Sequence, residues 1–336
     1  MNMRKANYII SDRNTNGKLS SIEPIESRKG SEIPRTVIIL GANGRFGRAA
    51  AGAFLTAGWQ VRNFARSCSE EPTAIEWIAG DAFDAEALAG AARGCDVIVN
   101  ALNPPYSRWQ RDLPRLTANV IAAAQASGAT VMIPGNVYHY GAAMPARLAE
   151  NTPAAPTTRK GRLRAEMERA YSDAVADGVR TIILRAGDFI ERQKTGNWFD
   201  SYIAARVTEG RVMYPGPLDR THAWAYLPDM ARAMTVLADR RVGFAAFEEF
   251  GFAGYALTGR MLVDAIARSA GRELTVKGLS WPMIRLLGLA MPQMREVAEV
   301  SYLWRRPHAI DGAKLATALP EFRETPYEAA IAEALA

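Results

Sequence analysis

From Thr36 to about Gly187, short runs of β-branched and other apolar residues alternate with alanine-rich stretches of helical period. This is the pattern of successive strand–helix–strand crossovers. It predicts strands over 36–40, 60–64, 75–78, 96–100, 130–133 and 180–184, and helices over 46–57, 84–92, 111–127 and 159–176. Gly58, Gly128 and Gly178 stand where three of these helices end, each suited to a left-handed cap. The expected class is α/β, a Rossmann-like doubly wound parallel sheet over 36–187. After Gly187, aromatic residues, prolines and shorter amphipathic segments take over, which predicts a smaller mixed lobe at 188–336. That lobe interleaves with the sheet, because 247–252 reads as one more strand. The apolar run 281–291 is interrupted by Arg285 and bounded by Pro282 and Pro292, too short for a span and readable as a buried or surface-lying helix.

Composition narrows the partners. With 49% hydrophobic residues the chain is not disordered as a whole. Of the net charge of +6, half lies in residues 1–35, where seven basic side chains face four acidic ones. The remainder carries no dense basic stripe, so no nucleic-acid partner is expected. The 1–35 tail is polar, lacks the apolar core of a signal peptide and reads as disordered. Cys68 and Cys95 cannot form a disulfide framework, which favours a reducing compartment and a cytoplasmic protein. His139, His222 and His308 lack metal-ligand spacing, so no metal is expected.

The candidate chemistry begins at Val37-Ile-Ile-Leu40, followed by Gly41-Ala42-Asn43-Gly44-Arg45-Phe46-Gly47 and an alanine-rich helix. A buried strand feeding a glycine turn lets the backbone approach a pyrophosphate, and the helix start offers free N–H groups and a positive dipole end. Gly41, Asn43, Gly44, Arg45, Phe46 and Gly47 are therefore the expected cofactor contacts. An acid about 20 residues beyond the turn would select NAD. Ala65 fills that place and Arg66 follows, so Arg66, with Arg45, is positioned to hold the extra phosphate of NADP. Asp81 and Ala82 after the third strand suit the adenine. Ala101, Leu102 and Asn103 after the fourth suit the passage of the cofactor, although Asp and Asn also favour such places for local turn bonds.

Taken together, the glycine turn, Gly80-Asp81, Asn119-Val-Ile-Ala-Ala-Ala, Gly135-Asn-Val-Tyr138, Ile183-Leu-Arg-Ala-Gly-Asp188 and Ala225-Tyr-Leu-Pro-Asp229 resemble the atypical and extended branches of the short-chain dehydrogenase/reductase superfamily. The likeness is in particular to NAD-dependent epimerase/dehydratase-like proteins. It implies a tyrosine and a lysine four residues apart on one helix, acting with an upstream serine or threonine. Aligning Glu166 with the acid that follows this pair puts Thr158 and Arg162 at those places and Gly135-Asn136 at the serine. The usual proton relay is therefore not matched. Arg162 and Lys160 remain as candidate cations, Tyr138 as a substitute proton donor, and Asn136 beside it. Asp229 reads as a helix-start residue satisfying backbone donors.

Tyr106, Tyr140, Asp188, Trp198, His222 and Trp224 make up an expected aromatic, weakly charged substrate lining. The expectation is an NADP-preferring oxidoreductase, NAD being the lesser choice, acting on a small apolar or aromatic carbonyl or alcohol. A nucleotide-sugar epimerase or dehydratase and a non-catalytic redox sensor are the alternatives, the former kept open by Arg211 and Arg220. A small-molecule substrate, no membrane span and a homodimer complete the expected partners.

Overall fold

The computed structural model describes residues 35–67 and 74–336. The expected tail before Arg35, and Cys68, lie outside the described residues. Strand β1 (Thr36–Leu40) is buried along its whole length and lies inside a parallel sheet, with strands on both sides. Helix α1 (Arg45–Thr56), β2 (Gln60–Ala65) and β3 (Glu76–Ala79) carry the chain outward to one edge. Helix α2 (Ala85–Ala92) returns it to β4 (Val97–Asn100) on the other side of β1. Then α3 (Trp109–Ser127), β5 (Thr130–Gly135), the short β6 (Arg147–Leu148), α4 (Arg159–Asp173) and β7 (Thr181–Arg185) extend the second half.

The mixed segment that follows opens with β8 (Asp188–Ile190), β9 (Arg211–Tyr214), β10 (Thr221–Tyr226) and α5 (Leu227–Arg240). It nevertheless gives one strand back: β11 (Phe247–Gly251) pairs in parallel with β7. The order across the seven-stranded sheet is β11-β7-β5-β4-β1-β2-β3. Its reversal point falls between β1 and β4, where a crevice opens at the carboxyl ends of the strands. The chain continues through β12 (Tyr255–Thr258), α6 (Gly259–Ala270), β13 (Thr275–Gly278), α7 (Trp281–Leu287), α8 (Pro292–Glu299), β14 (Ala309–Ile310), α9 (Ala313–Ala318) and α10 (Tyr327–Leu335).

Alternation along β1 builds two apolar layers. Val37 and Ile39 join Phe54 of α1 and Met230 and Met234 of α5, whereas Ile38 and Leu40 join Leu88 of α2, Val120 of α3 and Tyr171 of α4. A third, aromatic core holds the mixed segment together around Trp224, Trp281 and Trp304. Of the run expected as one helix over 281–291 only α7 is helical, a turn follows it, and Pro292 then starts α8. Asp229 does not serve its own helix start: its carboxylate accepts the backbone N–H and hydroxyl of Thr325 and an Arg232 N–H, which pins the chain ahead of α10. Among the described residues no helix is long and apolar enough to cross a membrane.

Candidate functional site

The turn between β1 and α1 is built around two glycine requirements. Gly41 has φ +75°, and a Cβ there would stand 2.7 Å from the Ala101 carbonyl oxygen on the far side of the crevice. A Cβ on Gly47 would stand 2.3 Å from the Gly41 oxygen, so only glycine lets α1 sit this close to its own turn. Gly44 is the N-cap and provides no side-chain cap, so the first N–H groups of α1 carry no side-chain partner among the described residues. A helix start left bare at the switch point of a parallel sheet fits a pyrophosphate. The Phe46 side chain packs inward near Phe189, leaving its N–H as the group available to a ligand. Asn43 ties the turn to the end of β2, its amide donating to the Ser67 carbonyl (3.0 Å) and hydroxyl (3.2 Å).

The arginines part company. Arg66 lies just past β2, is exposed, and has no hydrogen bond or ion pair among the described residues. Arg45 instead donates to the Thr195 carbonyl at 3.0 Å and lies 3.8 Å from Glu191, while Arg48 donates to the Gln193 side chain. These bonds strap the segment after β8 across the start of α1. Asp81 accepts the Phe83 N–H at 3.1 Å, the local turn bond that its residue type favours, and the Ala82 carbonyl accepts from Asn119. Asn100 holds the end of β4 by donating to the buried Tyr171 hydroxyl and accepting the Leu102 N–H.

Helix α4 differs from its expected register. Thr158 is its N-cap, accepting the Gly161 N–H at 3.1 Å, and Arg162 is exposed on the outer side. The inward face carries Lys160, Gly161, Arg164 and Glu168, spaced by three and four residues. A Cβ on Gly161 would stand 2.5 Å from the Tyr138 carbonyl oxygen, which is why this face meets the turn after β5. Lys160 is 0% exposed, and its ammonium is paired with Glu296 and Glu299 of α8 above the Tyr106 ring. Glu168 forms a forked pair with Arg185, which also binds Glu249, the Asn136 carbonyl and His139.

Arg164 is the cation that sequence reasoning missed, although its place four residues after Lys160 was a readable signal. It is 9% exposed, lies over the Trp109 ring at 4.4 Å and donates to Asn103 at 3.3 Å, beyond β4. Its Nε has no partner, and no carboxylate lies within ion-pair distance among the described residues. Burial lowers its pKa, with Glu168 opposing.

Opposite Arg164 stands Tyr138, in a single 3-10 turn after β5. Asn136, expected near the chemistry, accepts the Tyr138 N–H at 3.0 Å and so shapes that turn. The Tyr138 hydroxyl lies 3.4 Å from that of Tyr106, which is exposed. Burial raises the Tyr138 pKa well above the usual phenol range, reinforced by Tyr106 and Asp188 and opposed by Arg164. Asp188 accepts from His222 Nε2 at 2.8 Å, and the imidazole is stacked on Trp304.

Two expected lining residues face elsewhere. Trp224 is fully buried in the aromatic core, and Tyr140 lies under the Arg185 guanidinium with its hydroxyl 3.5 Å from Glu249. Trp198 is half-buried, with Tyr202 and Trp304 against it. Arg211 and Arg220 are exposed and paired with their neighbours Glu209 and Asp219, so they do not converge on the cleft.

Residues 41–205 match the sequence model of a family described as NAD(P)H-binding. No curated protein sequence matches the chain. Solved structures share its fold at low identity. UDP-N-acetylglucosamine 4-epimerase from Bacillus cereus is 14% identical, with 90% of this chain and 98% of that one covered and a TM-score of 0.71. For dTDP-glucose 4,6-dehydratase from Bacillus anthracis str. Ames, solved with NAD, the values are 14%, 90%, 95% and 0.70. MoeE5, solved with UDP-glucuronic acid and NAD, gives 16%, 89%, 97% and 0.71.

Proposed function

We propose that this chain, whose residues 41–205 form an NAD(P)H-binding domain within the epimerase/dehydratase fold of the extended short-chain dehydrogenases, is an NADPH-preferring reductase of small apolar or aromatic carbonyl compounds. The observation that carries the reading is the hydroxyl of the exposed Tyr106 3.4 Å from the buried Tyr138 hydroxyl, with the Arg164 guanidinium, held by Asn103 and with its Nε unpartnered, acting on that phenol electrostatically.

The bare start of α1 and the glycine cradle would hold the pyrophosphate, and Arg66 the ribose phosphate that distinguishes NADP. When bound, the reduced nicotinamide supplies a hydride for the carbonyl carbon. Tyr138 Oη gives its proton to the carbonyl oxygen. Arg164 favours the phenolate left behind, and Tyr106 Oη returns a proton from solvent. The buried phenol holds its proton at neutral pH and is a weaker acid than a free one, so it gives the proton up only to an oxygen gaining charge. Asp188, held by His222, borders the same phenol. Arg211 and Arg220 pair with their own neighbours and do not converge on the cleft, which favours an apolar carbonyl over a nucleotide sugar.

The test is NADPH consumption against a panel of aromatic and aliphatic aldehydes and ketones, with wild type and Tyr138→Phe. The variant is expected to lower kcat roughly a hundredfold while NADPH binding is kept. Purification with tightly bound cofactor and no net consumption would establish the epimerase instead. Absence of turnover, combined with unequal binding of the two redox forms, would establish the sensor.

A further inference from the structure

We infer that the α7–α8 hairpin docks the protein on an anionic lipid bilayer surface. A surface helix ordinarily turns a polar face outward, and one whose outward side is apolar but for a single cation is covered by something. Helix α7 buries Trp281 and Ile284, with the Trp281 indole N–H donating to the Pro215 carbonyl at 2.6 Å. Yet, Arg285 apart, its outward positions are apolar too: Met283 and Leu286 are 60% and 68% exposed, and Leu289 in the following turn is 85% exposed. Leu287 and Met291 are also exposed, so five large apolar side chains crowd one hairpin tip.

Charge identifies the occupant. No Asp or Glu occurs between Leu274 and Arg295. Lys277, Arg285 and Arg295 are exposed there without an ion pair or hydrogen bond among the described residues. Leucine and methionine side chains flanked by free cations match the depth profile of a bilayer with acidic headgroups, the hydrocarbon side chains entering the acyl boundary and the cations meeting phosphates. A second copy of the chain is a poor match, since a two-fold contact would set each free arginine against a desolvated positive patch. Helix α7, at seven residues, cannot span, so the hairpin lies on the surface.

The inner side of the same hairpin reaches the candidate site. Glu296 and Glu299 of α8 hold Arg159 and Lys160 at the start of α4, and Lys160 caps the Tyr106 ring. A docked surface is thus one ion pair away from Tyr106, the phenol that returns the proton to Tyr138 in the proposed reaction. The docking itself rests on the hairpin alone and stands or falls independently of that reaction.

The experiment is co-sedimentation of the full chain with vesicles of phosphatidylcholine mixed with phosphatidylglycerol, and with vesicles of phosphatidylcholine alone. Wild type is expected to bind the mixed vesicles and to bind neutral ones weakly. The double variant Leu286→Ser/Leu289→Ser is expected to lose at least about tenfold in partitioning, and Arg285→Gln roughly fivefold. All three side chains are exposed, so unchanged thermal midpoints and NADPH affinity show that the variants fold. The inference is overturned by absence of binding to mixed vesicles, or by equal binding of wild type and the double variant. It is also overturned by light scattering that finds a wild-type dimer dissociated by the same substitutions.

Discussion

Replacing Gly47 by alanine tests the cradle directly, because the structure contains its own control on the same helix. At Gly47 the new methyl would stand 2.3 Å from the Gly41 oxygen and 2.8 Å from the Ala42 Cα. Ordinary contact needs about 3.4 Å or more, so α1 must shift by roughly 1 Å or the turn must open. Overpacking of this kind costs about 1–3 kcal/mol, and the helix carrying Phe46, Ala50 and Phe54 into the core cannot move freely. The shift also pulls the N–H groups of α1 from a bound pyrophosphate. Losing one hydrogen bond to a charged group costs about 1.5–3 kcal/mol, roughly 10- to 150-fold in affinity. At Gly52, one and a half turns further along, a Cβ meets nothing within 4 Å. Gly52→Ala should therefore raise stability by about 0.5–1 kcal/mol through helix propensity and leave binding alone. Thermal unfolding and NADPH fluorescence titration of both variants read the contrast. If Gly47→Ala matches Gly52→Ala in midpoint and affinity, the close approach is not what the cofactor site depends on.

Arg66→Asp should weaken NADPH at least roughly tenfold more than NADH in the same titration, and equal losses would remove its phosphate role. Arg164→Gln should lower kcat by roughly 10- to 100-fold, with Arg164→Lys recovering part of it; unchanged rates would detach the guanidinium from the chemistry. A buried histidine and a half-buried glutamate shape stability against pH, read from thermal midpoints across the acid and neutral range. Burial, with His222 nearby, pushes His308 down to about 3, so below its ordinary 6.5 the unfolded chain takes up a proton that the folded chain refuses. Stability from this group falls as pH drops through that window, and His308→Asn should flatten the acid slope. Burial pushes Glu324 up to about 7, so between 4.5 and 7 the folded chain keeps a proton that the unfolded one loses. Stability from it falls as pH rises there, and Glu324→Gln should raise the midpoint most on the alkaline side.

The sheet was legible because its signals are local. Strand β1 reads as a continuous apolar run, the helices keep their period, and Gly58, Gly128 and Gly178 all take positive φ at or beside the ends of α1, α3 and the turn after α4. The glycine turn was legible for the same reason. The register of α4 was not, since only tertiary contact decides which of two overlapping four-residue spacings faces inward. Gly161 meeting the Tyr138 carbonyl selects Lys160 and Arg164 over Thr158 and Arg162. Trp224 and Tyr140 illustrate the other gap: an aromatic side chain has the same composition signal in a core as in a cleft, and only packing separates them. Arg45 likewise looked free until the segment after β8 came across to bind it.

The corrected register bears on why a relay could persist without the phenol on α4. The inward pair on that helix is doubly cationic, but its two charges are not equivalent. Lys160 is neutralised by two carboxylates of α8, whereas Arg164 meets none and is left beside Tyr138. The outcome is a buried phenol acted on by a cation that has no direct ion pair among the described residues and feels Glu168 at longer range, a pairing that the resemblance places on a single helix and that is here divided between α4 and the turn after β5. Because the phenol is buried and Arg164 only partly offsets that burial, the pair holds its proton until an acceptor arrives. In the proposed reaction that acceptor is the oxygen gaining charge as hydride reaches the carbonyl carbon. On the proposed reading, the hydroxyl of the exposed Tyr106, 3.4 Å from the donor, would restore the proton after each turnover, a role a sensor would not need.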